Sequence, residues 1–143
     1  MKDLARNAIL ALEEQMKGMN GYDPAGAILC EITHRFAPGV YAREMWMPKD
    51  CLITGKIHKT EHICILSQGS VRVSSGGDYK DMAAPYTFIA PVGTKRAIYA
   101  FEDAIWTTIH PNPKGLKDPD EIEKDLIAES FEEIDMLEHK GNL

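Results

Sequence analysis

The segment GKIHKTEH, residues 55–62, places an ammonium and two imidazoles close together in the chain. Side chains alternate across a strand, so Lys56 and His58 share a face if residues 52–58 run as one strand. A tight turn at Lys59 and Thr60 then sends the chain back. His62 and Cys64 begin the return strand on a common face, and Arg96, in the later string GTKR, enters from a third strand. Two chemistries are open to such a set. His58 and His62, with Cys64, His110 or Glu61 completing the shell, suit a divalent transition metal such as zinc, iron, nickel or manganese. Alternatively, Lys56 and Arg96 form a receptor for a small anion, a carboxylate, phosphate or nucleotide-like compound. Arg96 then offers a planar fork and Lys56 a point charge. In that case His58 and His62 donate hydrogen bonds or act as catalytic acid and base, because imidazole titrates near neutrality. Tyr41, Tyr99, Trp46 and Trp106 are candidates for stacking or apolar walls, and His110 for a further ligand contact. The readings compete, since fixed positive charge beside a metal ion weakens its binding.

These residues lie in a stretch built for strands. From Ala27 to Ile109 the chain runs in short apolar or alternating segments (AILCEITHRF, VYAREMWM, CLITGKIH, HICILS, SVRVSS, YTFIAP, KRAIYAF and AIWTTIH). Pro38-Gly39, Gln68-Gly69, Gly76-Gly77-Asp78 and Pro91-Val92-Gly93 supply the breaks. About eight strands at such close spacing predict a sandwich or barrel spanning residues 27–110. Before it, Leu4, Ala8, Leu12, Ile9 and Met16 recur at helical spacing over residues 1–18, and Gly21, Pro24 and Gly26 form a linker. After it, Ile122, Leu126, Ile127, Phe131 and Ile134 predict one amphipathic helix over residues 119–137, its acids facing solvent.

With 143 residues, 44% hydrophobic and 27% charged, the chain fits a single domain with its own core. A net charge of −6 lacks the basic footprint of a nucleic-acid or lipid-surface binder, so neither is an expected partner. The N-terminal string MKDLARNAILALEEQMKG carries acids inside its apolar stretch, unlike a signal peptide, and a cytoplasmic location is expected. Cys30, Cys51 and Cys64, widely spaced and odd in number, read as reduced core residues. No GxSxG, phosphate-binding loop, dinucleotide fingerprint or HExxH occurs, which leaves serine hydrolysis, nucleoside-triphosphate chemistry and zincin proteolysis without support.

The stretch GKIHKTEHICILSQGSV, followed by APVGTKR, resembles the two short motifs of the cupin superfamily, and the resemblance covers residues 41–110. Aligned on Gly69, the family's glutamate position falls on His62 and its second histidine on His58, leaving Lys56 where the first histidine would stand. Aligned on Pro91 and Gly93, the second motif's histidine falls on Arg96. The turn residues match, and of the four metal-ligand positions only those of His58 and His62 hold an imidazole. The strings FAPGVYARE, ITGKIHKTEH, WTTIH and DLIAESFEE are also similar to a group of small cupin-like proteins of bacteriophages and bacteria. The resemblance implies an all-β core, a cupin-type double-stranded β-helix (jelly roll), flanked by N- and C-terminal helices. It implies a fold rather than a reaction. The leading expectation is a protein that binds a small anionic metabolite in a pocket of His58, His62, Lys56 and Arg96, in the host cytoplasm if phage-encoded. The alternatives are a metal-dependent cupin enzyme (isomerase, lyase, hydrolase or oxygenase) and a structural or partner-binding phage protein with a vestigial pocket. Open sheet edges of a jelly roll favour pairing between chains, and a homodimer is expected.

Overall fold

The computed structural model describes residues 2–23 and 30–141. The predicted linker residues Pro24 and Gly26, and the predicted start of the β region at Ala27, lie outside the described residues. Helix α1 (Lys2–Lys17) precedes the strands β1 (Glu31–Ala37), β2 (Gly39–Met47), β3 (Leu52–Thr54), β4 (Ile57–His58) and β5 (His62–Gln68). These are followed by β6 (Ser70–Ser74), β7 (Tyr79–Ala83), β8 (Tyr86–Ala90), β9 (Ala97–Ala100) and β10 (Ala104–Asn112). Helix α2 (Pro119–Leu126), β11 (Ile127–Ala128) and helix α3 (Phe131–His139) complete the chain.

The strands form a five-stranded antiparallel sheet in the order β1-β2-β10-β5-β8 and a four-stranded sheet in the order β3-β9-β6-β7. Apart from the hairpins β1-β2 and β6-β7, the chain crosses repeatedly between the two sheets, which is the double-stranded β-helix that the resemblance implies. Alternation supplies the core between them. Met45, Met47, Leu66, Val71, Met82, Ile98 and Trp106 point inward from both sheets and pack into one apolar cluster. Cys30, Cys51 and Cys64 are all buried and free, as the apolar patterns require.

Two predicted elements differ from what forms. The strand expected over residues 52–58 is interrupted. Gly55 donates its backbone N–H to Arg96 O at 2.9 Å and its carbonyl accepts from the Lys95 ammonium at 2.7 Å, so the chain leaves the sheet after Thr54 and re-forms as β4. The single helix expected over residues 119–137 is also broken. Ile127 and Ala128 pair with His58 and Ile57, and Ser130 caps a new helix by accepting from Glu133 N. The apolar residues of that segment therefore serve two clusters. Ile122 and Leu126 pack on Tyr41, whereas Phe131 and Ile134 pack with Ile9 and Ile57.

Helix α1 docks through Ile9 and Met16, while Leu4 is 73% exposed, so the buried stripe is narrower than the sequence spacing suggested. Arg6 pairs with Asp135 at 2.8 Å and lies over the Phe131 ring, tying α1 to α3. Glu13 accepts from Thr54 and from Lys95, both at 2.8 Å, tying α1 to the barrel.

Candidate functional site

The inner face of the five-stranded sheet is ordered in rows by its register. One row runs Ile32, Met45, Trp106, Leu66, Tyr86 across the strands and is apolar. The next runs His34, Arg43, Thr108, Cys64, Phe88. Beyond it come Phe36, Tyr41 and His110, with His62 and Ala90 completing the line. Polar and titratable side chains are thus confined to one end of the barrel interior, and α2 closes that end by packing Ile122 and Leu126 on Tyr41.

Three imidazoles meet there. The ring centroids of His58 and His62 are 4.3 Å apart, those of His62 and His110 4.8 Å, and those of His58 and His110 5.7 Å. Tyr41 stacks on His110 at 6.0 Å and its hydroxyl bonds His34 Nδ1 at 2.7 Å. The motif turn Pro91–Thr94 sets His58. Thr94 O receives the His58 backbone N–H at 3.0 Å and meets His58 Nδ1 at 3.2 Å, while Gly93 N donates to His58 O at 2.8 Å. Gly93 holds φ +81°, a left-handed conformation that glycine adopts without penalty.

Arg96 follows that turn and points into the barrel. It is 5% exposed, its Nη2 lies 3.1 Å from His62 Nε2, and its Nη1 donates to Cys64 Sγ at 3.3 Å. The faces of Trp106 and Phe88 lie 5.4 and 5.8 Å from its guanidinium carbon. His62 Nδ1 lies 3.0 Å from Thr60 O, which fixes the proton on Nδ1 and leaves Nε2 to accept from Arg96. Among the described residues, no carboxylate pairs with Arg96.

Of the residues singled out in the sequence, the structure gathers His58, His62, Arg96, Tyr41, Trp106 and His110. It does not gather Lys56 or Tyr99. Lys56 lies in the break after Gly55, is exposed, and pairs with Glu123 of α2. Tyr99 is an odd number of residues from Arg96, so it faces out of the barrel, where its hydroxyl donates to Asp50 at 2.8 Å. Trp46 is likewise on the outer face and 36% exposed, and Glu61 is exposed. The residue that sequence reasoning passed over is Arg43. It shares the inner face of β2 with the buried Tyr41, Met45 and Met47, and reading that alternation would have found it. Arg43 is half-buried and, among the described residues, has no ion pair.

The imidazoles do not fit a metal centre in this arrangement. A ligating His62 would need its Nε2, which instead faces the Arg96 guanidinium. Among the described residues, no group of histidine, cysteine, aspartate and glutamate side chains is disposed to hold a metal ion.

Burial keeps the cluster neutral. Desolvation first, then the neighbouring His62 and Arg96, lower the His58 pKa to about 3. Desolvation, His62 and the two arginines likewise lower His110 to about 3. His62 is shifted in the same direction, chiefly by burial. Cys64 stays a thiol because burial raises it more than Arg96 lowers it. The unfolded chain therefore takes up protons below pH 6.5 that the folded one refuses until about pH 3. Stability is complete above the unfolded pKa and declines as pH falls through this window. With two such histidines the slope approaches about 3 kcal/mol per pH unit. Urea unfolding between about pH 5 and 6.5, above the range of most carboxylates, should show this decline. His58→Gln should reduce the slope by roughly half, leaving the His110 contribution, and a level profile in the native protein would contradict the assignment.

Comparison with known proteins bears on the fold. No protein-family model matches the sequence, and no curated protein is significantly similar to it. Among solved structures, KdgF from Halomonas sp. is similar at 15% identity and a TM-score of 0.54, covering 74% of this chain and 94% of that one. A cupin superfamily protein from Desulfitobacterium hafniense DCB-2 is similar at 8% identity and 0.51, covering 67% and 85%. The cupin domain of Cnp3 from Schizosaccharomyces pombe is similar at 18% and 0.50, covering 65% and 70%. The chain therefore has the cupin jelly-roll fold. Among the described residues, no helix is long and apolar enough to cross a membrane.

Proposed function

We propose that this protein binds a small organic anion inside the barrel, with Arg96 as its principal contact. The observation that carries this reading is a guanidinium only 5% exposed with no carboxylate partner among the described residues. Removing a cation from water is costly, and protein interiors normally offset that cost with an acid. Here the neighbours are a neutral imidazole, a thiol and two aromatic faces, which orient the charge without cancelling it. Arginine has N–H groups beyond those directed at His62 and Cys64, and their fork suits a carboxylate.

Along the row of His34, Arg43, Thr108, Cys64 and Phe88, burial is deepest at the centre, at Thr108 and at Cys64, the residue that Arg96 touches. His62 positions the guanidinium, and Trp106 and Phe88 exclude water behind it.

Native mass spectrometry of protein purified without a histidine tag tests this, together with calorimetric titration of the native protein with short carboxylates. The expected result is a retained small anion or a saturable heat at one ligand per chain. A protein that carries nothing and gives no heat with any carboxylate would overturn the reading.

A further inference from the structure

Resting on that reading, we infer that the ligand carries two anionic groups, a short-chain dicarboxylate, and that Arg43 and His110 form a second station that receives the group Arg96 does not. The argument begins with His110, which is 4% exposed and has an Nδ1 without a hydrogen-bond partner. Its Nε2 lies 2.8 Å from Thr108 Oγ1. When the threonine hydroxyl donates to Nε2, Nδ1 carries the ring proton and is a buried donor without an acceptor. Buried donors in native proteins are almost always satisfied, so an orphan in a polar cluster marks a place where another molecule supplies the acceptor.

Arg43 stands beside it. The register pairs Arg43 with Thr108 and Tyr41 with His110, so Arg43 and His110 lie on adjacent strands one row apart on the same inner face. Thr108 pairs in turn with Cys64, the residue that Arg96 touches. Arg43 is therefore rooted two strands from the Arg96 contact, roughly 10 Å. Both guanidinia lower the pKa of His110, so the two charges stand on either side of that ring. Among the described residues, neither arginine has an acidic partner, and the inward-facing positions of these rows hold no aspartate or glutamate. A monoanion at Arg96 would leave Arg43 and His110 Nδ1 uncompensated. A dianion meets all three.

Succinate and butyrate have the same carbon skeleton and differ by one carboxylate. Titration of the native protein with each should show succinate binding roughly 10- to 100-fold more tightly, the worth of a charge-assisted contact. Arg43→Gln should bring the succinate-to-butyrate affinity ratio close to one. Its far-ultraviolet circular dichroism, matched to the native protein, checks that it folds. Equal affinities in the native protein, or a preference that persists in Arg43→Gln, would overturn the second station and leave the Arg96 site standing. If neither compound binds, both readings fail. The native succinate-to-butyrate ratio is informative even if the variant does not fold.

Discussion

Arg96→Met should lower the affinity for carboxylates by roughly a hundredfold to a thousandfold while leaving the ligand-free protein at least as stable in urea as the native one. The two effects have opposite sign because a buried charge is useful only to a partner. Truncating one side of a buried charge pair costs roughly 2–5 kcal/mol of binding, which sets the expected loss of affinity. In the free protein there is no pair to lose. Replacing a buried ionic group by an apolar side chain of similar length is often neutral or stabilising by about 1–4 kcal/mol. Methionine can also lie between Trp106 and Phe88, where the guanidinium now sits. The substitution does remove the donor facing His62 Nε2, a cost of about 1–3 kcal/mol that limits the gain. A variant strongly destabilised without ligand would show that Arg96 holds the barrel together, and the anion site would lose its main support.

Gly69→Ala should destabilise the fold by roughly 2–5 kcal/mol, measured by urea unfolding, with no direct effect on the pocket. Gly69 turns β5 into β6 with φ +83°, and a Cβ there would stand 2.4 Å from Asp103 O and 2.9 Å from Ala104 Cα. Both obstacles are backbone at the start of β10, which is held on two sides by the five-stranded sheet. A left-handed conformation costs a side-chain-bearing residue roughly 1–2 kcal/mol, and forced overpacking a further 1–3. Gly39→Ala makes a useful contrast. It has φ +74° but nothing near its added methyl, so only the conformational part should appear. Equal losses in the two variants would mean that contact with Asp103 and Ala104 is relieved at little cost.

These two residues also show what could be read from the chain. Gly69 was legible as a motif glycine because a turn of fixed handedness tolerates few residues. Arg96, His58 and His62 were legible because strand alternation and the turn residues that position them are local properties. Lys56 was misplaced by the same rule, since alternation carries a side chain's direction only along unbroken strand. The break at Gly55 is made by hydrogen bonds to Lys95 and Arg96, partners distant in the sequence. Tyr99 needed only a count of parity from Arg96, and Arg43 only the alternation with Tyr41 and Met45. The division of the C-terminal helix had a local signal in Ser130. Its cause lay elsewhere, in the unpaired edge of β4 that Ile127 and Ala128 complete.

That short pairing has a bearing on how the protein is made. His58 is held between the turn at Thr94 and the backbone of Ile127, and Lys59 N donates to Leu126 O at 2.7 Å. On the ribosome, residues near the N-terminus emerge well before those that fix them, and pairings between distant segments form late. The imidazole cluster needs His110 from β10, and β4 gains its second neighbour only with β11. A nascent chain can thus exhibit most of its barrel strands while its imidazole cluster is still incomplete. The imidazole cluster is complete only when residues 127–128 have been synthesised, so a translation product truncated before them would be a barrel with β4 left unpaired.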